Sequence, residues 1–121
     1  MFVEKIQSII NEYNYWDLRV KKLECSYFGD EIELAYDDSK GNDITYRYVG
    51  CYKCCFDHVK NYDKFIPVKN MSIAQIPYFL QEVTISELID DEVEFYVCKI
   101  NMFPLNLEIW CKDIQVIKKQ L

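Results

Sequence analysis

Glycine and proline are scarce in this chain, with three of each among 121 residues. No glycine-rich phosphate loop is present, and most of the chain must be regular structure. Histidine occurs once, at His58. Any Ser-His-Asp or Cys-His pair would have to use it. No stretch approaches the roughly 18 apolar residues that a membrane span requires. The opening M-F-V-E-K-I-Q-S-I-I-N-E is interrupted by Glu4 and Lys5 and has no small-residue cleavage site, unlike a signal peptide. We therefore expect a reducing cytoplasm and no membrane, with the six cysteines as free thiols rather than disulfides. Basic residues are also in deficit. Fourteen Lys and Arg face 20 Asp and Glu, for a net charge of −6. That balance argues against direct nucleic-acid binding, which basic surfaces drive.

What is present is core material. Half of the residues are hydrophobic and 16% are aromatic, with ten tyrosines against seven phenylalanines. Tyrosine suits half-buried strand faces, where the ring packs and the hydroxyl stays wet. Phe2, Ile6, Ile9, Ile10 and Tyr13 form one helical stripe, so the spacing predicts a helix over 1–14. From Leu18 the period falls to two. Leu23, Cys25 and Tyr27 alternate, Gly29-Asp30 reads as a turn, and Ile32, Leu34 and Tyr36 alternate again. Asp38-Ser39-Lys40-Gly41-Asn42 is the clearest turn. Ile44, Tyr46 and Tyr48 open a third strand, and Gly50 within its continuation suggests a bulge or a close backbone approach. Residues 57–72 read as a loop, with a short helical or irregular turn at 72–80. Strands are expected at 82–89, from Val93, and from Leu105 to Cys111. Beyond Cys111 the parity inverts at Ile114 and Val116, which predicts a bulge at Lys112-Asp113. The expected fold is α+β: one domain over 1–121, with an N-terminal helix packed on a curved, mostly antiparallel sheet of six to eight strands spanning 18–117.

The stretch V-G-C-Y-K-C-C-F-D-H, from Val49 to His58, gathers half of the cysteines and the only histidine. Structural zinc needs converging thiolates, usually from two knuckles. Read as one strand over 48–57, the stretch places Cys51 and Cys54 on opposite faces and Cys51 and Cys55 on the same face. That favours ordinary strand cysteines over a metal site. The alternatives left open are a metal- or thiol-redox module using Cys51, Cys54, Cys55 and His58, and a ligand-binding or enzymatic β-domain with a carboxylate pocket. Carboxylates cluster in two segments, Asp37, Asp38 and Asp43 in one and Asp90, Asp91, Glu92 and Glu94 in the other. A charge run is commonly a solvated face, but such segments also form rims that speed association with a basic partner. Tyr13, Tyr15 and Trp16 read as core or staple residues. Tyr46-Arg47-Tyr48 has the alternation of a nucleic-acid stacking platform, against which the acidic surroundings argue.

The order of Trp16-Asp17, V-K-K-L-E-C, D-E-I-E-L-A-Y, I-T-Y-R-Y-V-G-C and L-N-L-E-I-W-C-K-D-I-Q-V resembles small bacterial immunity proteins encoded beside polymorphic or contact-dependent toxins. In that layout an aspartate precedes the first strand (Asp17), a glycine follows the third (Gly50), and the closing strand ends in a bulge. The resemblance runs from Trp16 to Val116. The histidine frequent before the aspartate is replaced by Trp16. The resemblance implies a cytoplasmic antitoxin that binds one cognate toxin, a basic nuclease domain, and covers its active site. No catalytic residue and no cofactor are then required, and a homodimer is left open. An acidic, tyrosine-rich surface suits a basic cleft.

Overall fold

The structure, a computed structural model, describes residues 2–64 and 66–120. Met1, which heads the expected helix, and Leu121, which ends the expected domain, lie outside the described residues. The helix α1 forms over Val3–Glu12, and eight strands follow: β1 Val20–Ser26, β2 Glu31–Asp37, β3 Asp43–Val49, β4 Lys53–His58, β5 Glu82–Asp90, β6 Val93–Met102, β7 Leu105–Cys111 and β8 Asp113–Lys119. The α+β class and the antiparallel pairing agree with the sequence reading. The single curved sheet does not. The strands form two four-stranded sheets, ordered β1-β2-β3-β8 and β4-β7-β6-β5.

Alternation explains why the two sheets face one another. Ile32, Leu34 and Tyr36 on β2, and Ile44, Tyr46 and Tyr48 on β3, are wholly buried from one side. Cys98, Ile100 and Met102 on β6, and Leu105, Leu107, Ile109 and Cys111 on β7, meet them from the other. The tyrosines go deeper than half-buried faces. Their hydroxyls are therefore paired inside: Tyr36 with Tyr46 at 3.0 Å, and Tyr48 with the Cys98 thiol at 3.3 Å. An unpaired buried hydroxyl would cost about 1–3 kcal/mol. Burial pushes the Tyr36 hydroxyl up to about 12 and the Tyr48 hydroxyl well above its ordinary value.

The change of sheet happens twice at one corner. β3 leads through Gly50 into β4, and β7 leads through Lys112 into β8. β3 pairs with β8 in one sheet and β4 pairs with β7 in the other. The two crossings lie side by side, because the Lys112 N–H donates to the carbonyls of Val49 (3.0 Å) and Gly50 (3.2 Å). The expected continuous strand over 48–57 is therefore broken at Gly50. The expected bulge at Lys112-Asp113 is likewise a passage between sheets. Parity inverts there because Cys111 faces the core from one sheet and Ile114 from the other. Gly50 supplies the close approach. Its φ is +64°, and a Cβ would sit 3.0 Å from Lys112 Cγ.

The helix closes one seam between the sheets by contacting both β5 and β8. Ile6 and Ile10 are buried there. Gln7 caps the open edge of β5, with its amide donating to the Val83 carbonyl (2.9 Å) and accepting from the Ile85 N–H (2.7 Å). The Tyr15 hydroxyl accepts from the Val83 N–H at 3.0 Å. Sheet edges left bare invite pairing with other chains, so this cover is protective.

Gly50→Ala should lower stability by about 1–2 kcal/mol through the left-handed backbone alone. Urea unfolding should show a lower midpoint with an unchanged slope. An unchanged midpoint would mean that the corner is not under this constraint.

A candidate partner-binding surface at the sheet corner

The corner splays aromatic side chains outward. Tyr52 follows Gly50 by two residues, and Trp110 precedes Lys112 by two. Tyr52 is 64% exposed and stacks on Phe95, with ring centroids 4.9 Å apart and planes 23° apart. Its centroid lies 6.2 Å from that of Trp110. The Lys53 ammonium sits 4.7 Å above Trp110, and the Lys112 ammonium sits 4.7 Å above Phe95. Phe95 and Val97 are buried, yet they belong to this outer face and not to the core between the sheets.

Beside it lies the β1–β2 turn, Tyr27–Asp30. Tyr27, Phe28 and Gly29 all have positive φ, at 54°, 59° and 88°. Only the glycine is suited to that backbone. For an L-residue the left-handed conformation costs roughly 1–2 kcal/mol. Phe28 is fully exposed and Tyr27 is 73% exposed, so neither ring recovers much of that energy by burial within the chain. Such strain at exposed residues points to function. The turn is tied to the corner by the Cys51 N–H, which donates to the Asp30 carbonyl at 2.9 Å.

The two acidic segments separate. Asp90, Asp91, Glu92 and Glu94 form the β5–β6 hairpin tip, where Asp91 and Glu92 carry φ of 48° and 66°. Phe95 continues directly from this tip, so these carboxylates border the aromatic cluster. Among the described residues no ion pair engages them. Asp37, Asp38 and Asp43 lie at the far end of the other sheet, six rungs from the corner along β3. Lys21 lies 2.7 Å from Asp37 and 2.8 Å from Asp43. Asp38 accepts from the backbone N–H groups of Lys40 (2.9 Å) and Asn42 (2.8 Å). This second segment is engaged within the chain.

The cysteines fall otherwise than strand parity predicted. Because the strand breaks at Gly50, Cys51 and Cys54 come together, lining one cleft with Tyr27, Phe28 and Tyr52. Cys55 points to the opposite side of β4, across from Glu108, and not alongside Cys51. All six cysteines are free. Burial, then the neighbouring Cys54, pushes the Cys51 thiol up to about 12. Burial, then Cys25, pushes Cys54 up as well. Thiols so disposed stay protonated at neutral pH, whereas reactive and metal-binding cysteines need the thiolate. His58 ends β4 on the same side as Phe56, away from Cys55. Among the described residues no three His, Cys, Asp or Glu side chains converge as a metal site.

Trp16 is 67% exposed and is not a core residue, in contrast to Tyr13 and Tyr15, which pack against the core. Asp17 turns the chain into β1 with a φ of 61°, and its N–H donates to the Leu80 carbonyl at 2.6 Å. The functional candidates that sequence reasoning missed are Tyr27, Phe28, Tyr52, Phe95 and Trp110. One signal was available. Trp110 has the opposite parity to Ile109 and Cys111, so it points outward from a strand whose other face is core.

Two outcomes test this description. Phe28→Asn places a residue tolerant of left-handed backbone at an exposed site and should raise stability by about 1 kcal/mol. A lower urea midpoint would show that the ring supports the fold. The second concerns pH. The hydrogen bond from Lys21 holds the Asp43 carboxyl below the usual carboxylate range. The folded chain then releases that proton more readily than the unfolded chain. The stabilisation is complete above the ordinary pKa, about 4, and is lost as pH falls through the depressed value. Asp43→Asn should therefore flatten the fall in urea midpoint between about pH 5 and pH 2. An unaltered slope would show that this pair does not hold the turn.

Among the described residues no helix is long and apolar enough to cross a membrane. No curated protein matches the chain. A family model does, over residues 2–118, and by that match the chain belongs to the family described as immunity protein PIM7.

Proposed function

We propose that this chain is a cytoplasmic antitoxin that neutralises one cognate toxin, a basic nuclease domain, by binding over its active site without chemistry of its own. Family membership supports the immunity role. The observation that carries the binding mode is the aromatic corner, where exposed Tyr27, Phe28 and Tyr52 adjoin half-buried Trp110 and buried Phe95, bordered by an acidic hairpin that no ion pair engages among the described residues. Interfaces concentrate their energy in a few central aromatic anchors, while charged rims set encounter rate and partner choice. Tyr52, Trp110, Tyr27 and Phe28 are the anchors in this reading. Asp90, Asp91, Glu92 and Glu94 are the rim that meets the toxin's basic cleft. Asp37, Asp38 and Asp43 spend their charge within the chain and take a lesser part.

The redox alternative is disfavoured by the protonated thiols of Cys51 and Cys54. The enzymatic alternative would use the open cleft lined by Asp57, Glu82 and Glu108, where Glu108 is already engaged by Lys99 (3.7 Å) and by the Trp110 indole N–H (2.9 Å).

The test is binding to the toxin domain against which this chain protects cells. Tyr52→Ala with Trp110→Ala should weaken binding by at least about 30-fold, mostly through faster dissociation. Phe28→Asn should weaken it while the fold is retained. Reversing the charges at Asp90, Asp91, Glu92 and Glu94 should slow association and flatten its dependence on salt. Full protection of cells by both the aromatic and the charge variants would remove the corner from the mechanism.

A further inference from the structure

The two sheets meet along two seams, and the chain treats them differently. At the β5–β8 seam, α1 lies over the gap and Gln7 and Tyr15 satisfy the β5 edge. The β1 edge is covered at its start, where the Val20 N–H donates to Tyr78 (2.8 Å) and the Leu80 N–H to Leu18 (2.9 Å). Strand β4 has no such cover. All six of its residues are exposed, and among the described residues it pairs with β7 alone.

The register tells which backbone groups are left over. The Val59 N–H donates to the Pro104 carbonyl at 3.0 Å, and Val59 and Pro104 continue the β4–β7 register. Hydrogen-bonded positions alternate in an antiparallel ladder. Asp57, Cys55 and Lys53 therefore bond to β7, and the N–H and C=O groups of Cys54, Phe56 and His58 point away from it. No backbone or side-chain bond among the described residues takes them up. Natural edges are blunted by proline, charged side chains, bulges, short length or a covering element. β4 carries Lys53 and Asp57, and the Tyr52 N–H donates out of register to the Trp110 carbonyl (2.7 Å) at its start, but its six residues include no proline and pair regularly with β7.

Beneath that edge lies a cleft of about 290 Å³ between β4 and β1, floored by Leu23, Phe56, Met102 and Leu105. Phe56 remains 42% exposed within it. Cys54, the first outward-facing position, also lines the corner cleft with Tyr52 and Phe28, so the edge and the corner surface are continuous.

We propose that β4 is a strand-pairing site for an extended segment of the toxin. This rests on the antitoxin reading above. The segment bonds through its backbone to Cys54, Phe56 and His58. It places apolar side chains at alternate positions into the cleft over Phe56 and Leu23, and polar ones outward beside Lys53 and Asp57. Backbone pairing supplies affinity and the alternate pockets supply specificity, as in other strand additions. One partner can then occupy the edge and the corner together, which a flat surface contact at the corner alone would not achieve.

Amide hydrogen exchange of the full chain, free and mixed with that toxin domain, reads this directly. The amides of Cys54, Phe56 and His58 should exchange quickly in the free chain and slow by about 100-fold or more in the complex. Those of Cys55 and Asp57 should be slow in both states. Cys54→Pro, which removes an outward N–H at an edge position that tolerates proline, should weaken binding about tenfold. Cys54→Ala should stay within about twofold. A complex in which the three amides stay fast overturns the strand pairing and leaves the antitoxin reading intact. Protection of the three amides in the free chain together with a doubled mass assigns the edge to a second copy and also overturns it. Failure to form any complex removes the antitoxin reading and this inference with it.

Discussion

The double crossing at Gly50 and Lys112 is the constraint on which the rest of the structure depends. One backbone N–H, that of Lys112, holds both crossings together through the Val49 and Gly50 carbonyls. Because β3 and β8 leave the corner paired, and β4 and β7 leave it paired on the other side, the register of each sheet is fixed relative to the other. A slip of one residue in either sheet would turn its whole apolar set outward. The same corner produces the outer surface. Residues immediately flanking a change of sheet cannot all face the core, and Tyr52 and Trp110 are the ones turned out. The aromatic cluster is thus a geometric consequence of the fold and not a separate addition to it.

Interior and exterior use aromatic residues in opposite ways. Inside, Tyr36, Tyr46 and Tyr48 are wholly buried, and each hydroxyl has a partner. Among the described residues no buried side-chain nitrogen or oxygen is left unpaired. A satisfied polar pair within an apolar core restricts how the two sheets can stack, because misplacing it strands a hydroxyl. Outside, Tyr27 and Phe28 hold unfavourable backbone without burial, and Tyr52 stacks while staying accessible. Stability is concentrated between the sheets and relinquished at the corner turn.

The sequence made the elements legible, and it made the pairing between sheets much less so. Period-two alternation located β2, β3, β6 and β7, and the helical stripe located α1, because each pattern is local. Gly50 was readable as a bend. Whether a bend is a bulge within one sheet or a passage between two depends on what lies across from it, here Lys112, 62 residues later. Strand parity misplaced Cys51 and Cys54 for the same reason, since parity holds only along an unbroken strand. The acidic segments were visible as charge, but their availability was not. Lys21 on β1 pairs with both Asp37 and Asp43, which it meets only because β1 pairs with β2 and β2 with β3. Among the described residues the hairpin Asp90–Glu94 has no such neighbour.

That difference in pairing gives the corner its division of labour. The β5–β6 hairpin extends past the last β6–β7 pair, Tyr96 with Cys111, so its tip stands clear of β7 and its carboxylates are exposed. Exposed charges attract a basic partner over about a Debye length, 8–10 Å at ordinary salt, but contribute little once contact is made. The rings act in the reverse sense. Tyr52 and Trp110 exert no long-range pull, yet their area is dry only in a complex, and their mutual stacking already limits the rotamer entropy lost on docking. Lys53 and Lys112 lie over two of these rings and keep their charge, so their ammonium groups must leave the ring faces when a basic partner docks. On a chain of net charge −6, the four carboxylates of the tip, Asp90, Asp91, Glu92 and Glu94, outnumber these two ammonium groups, and the corner can both attract and retain.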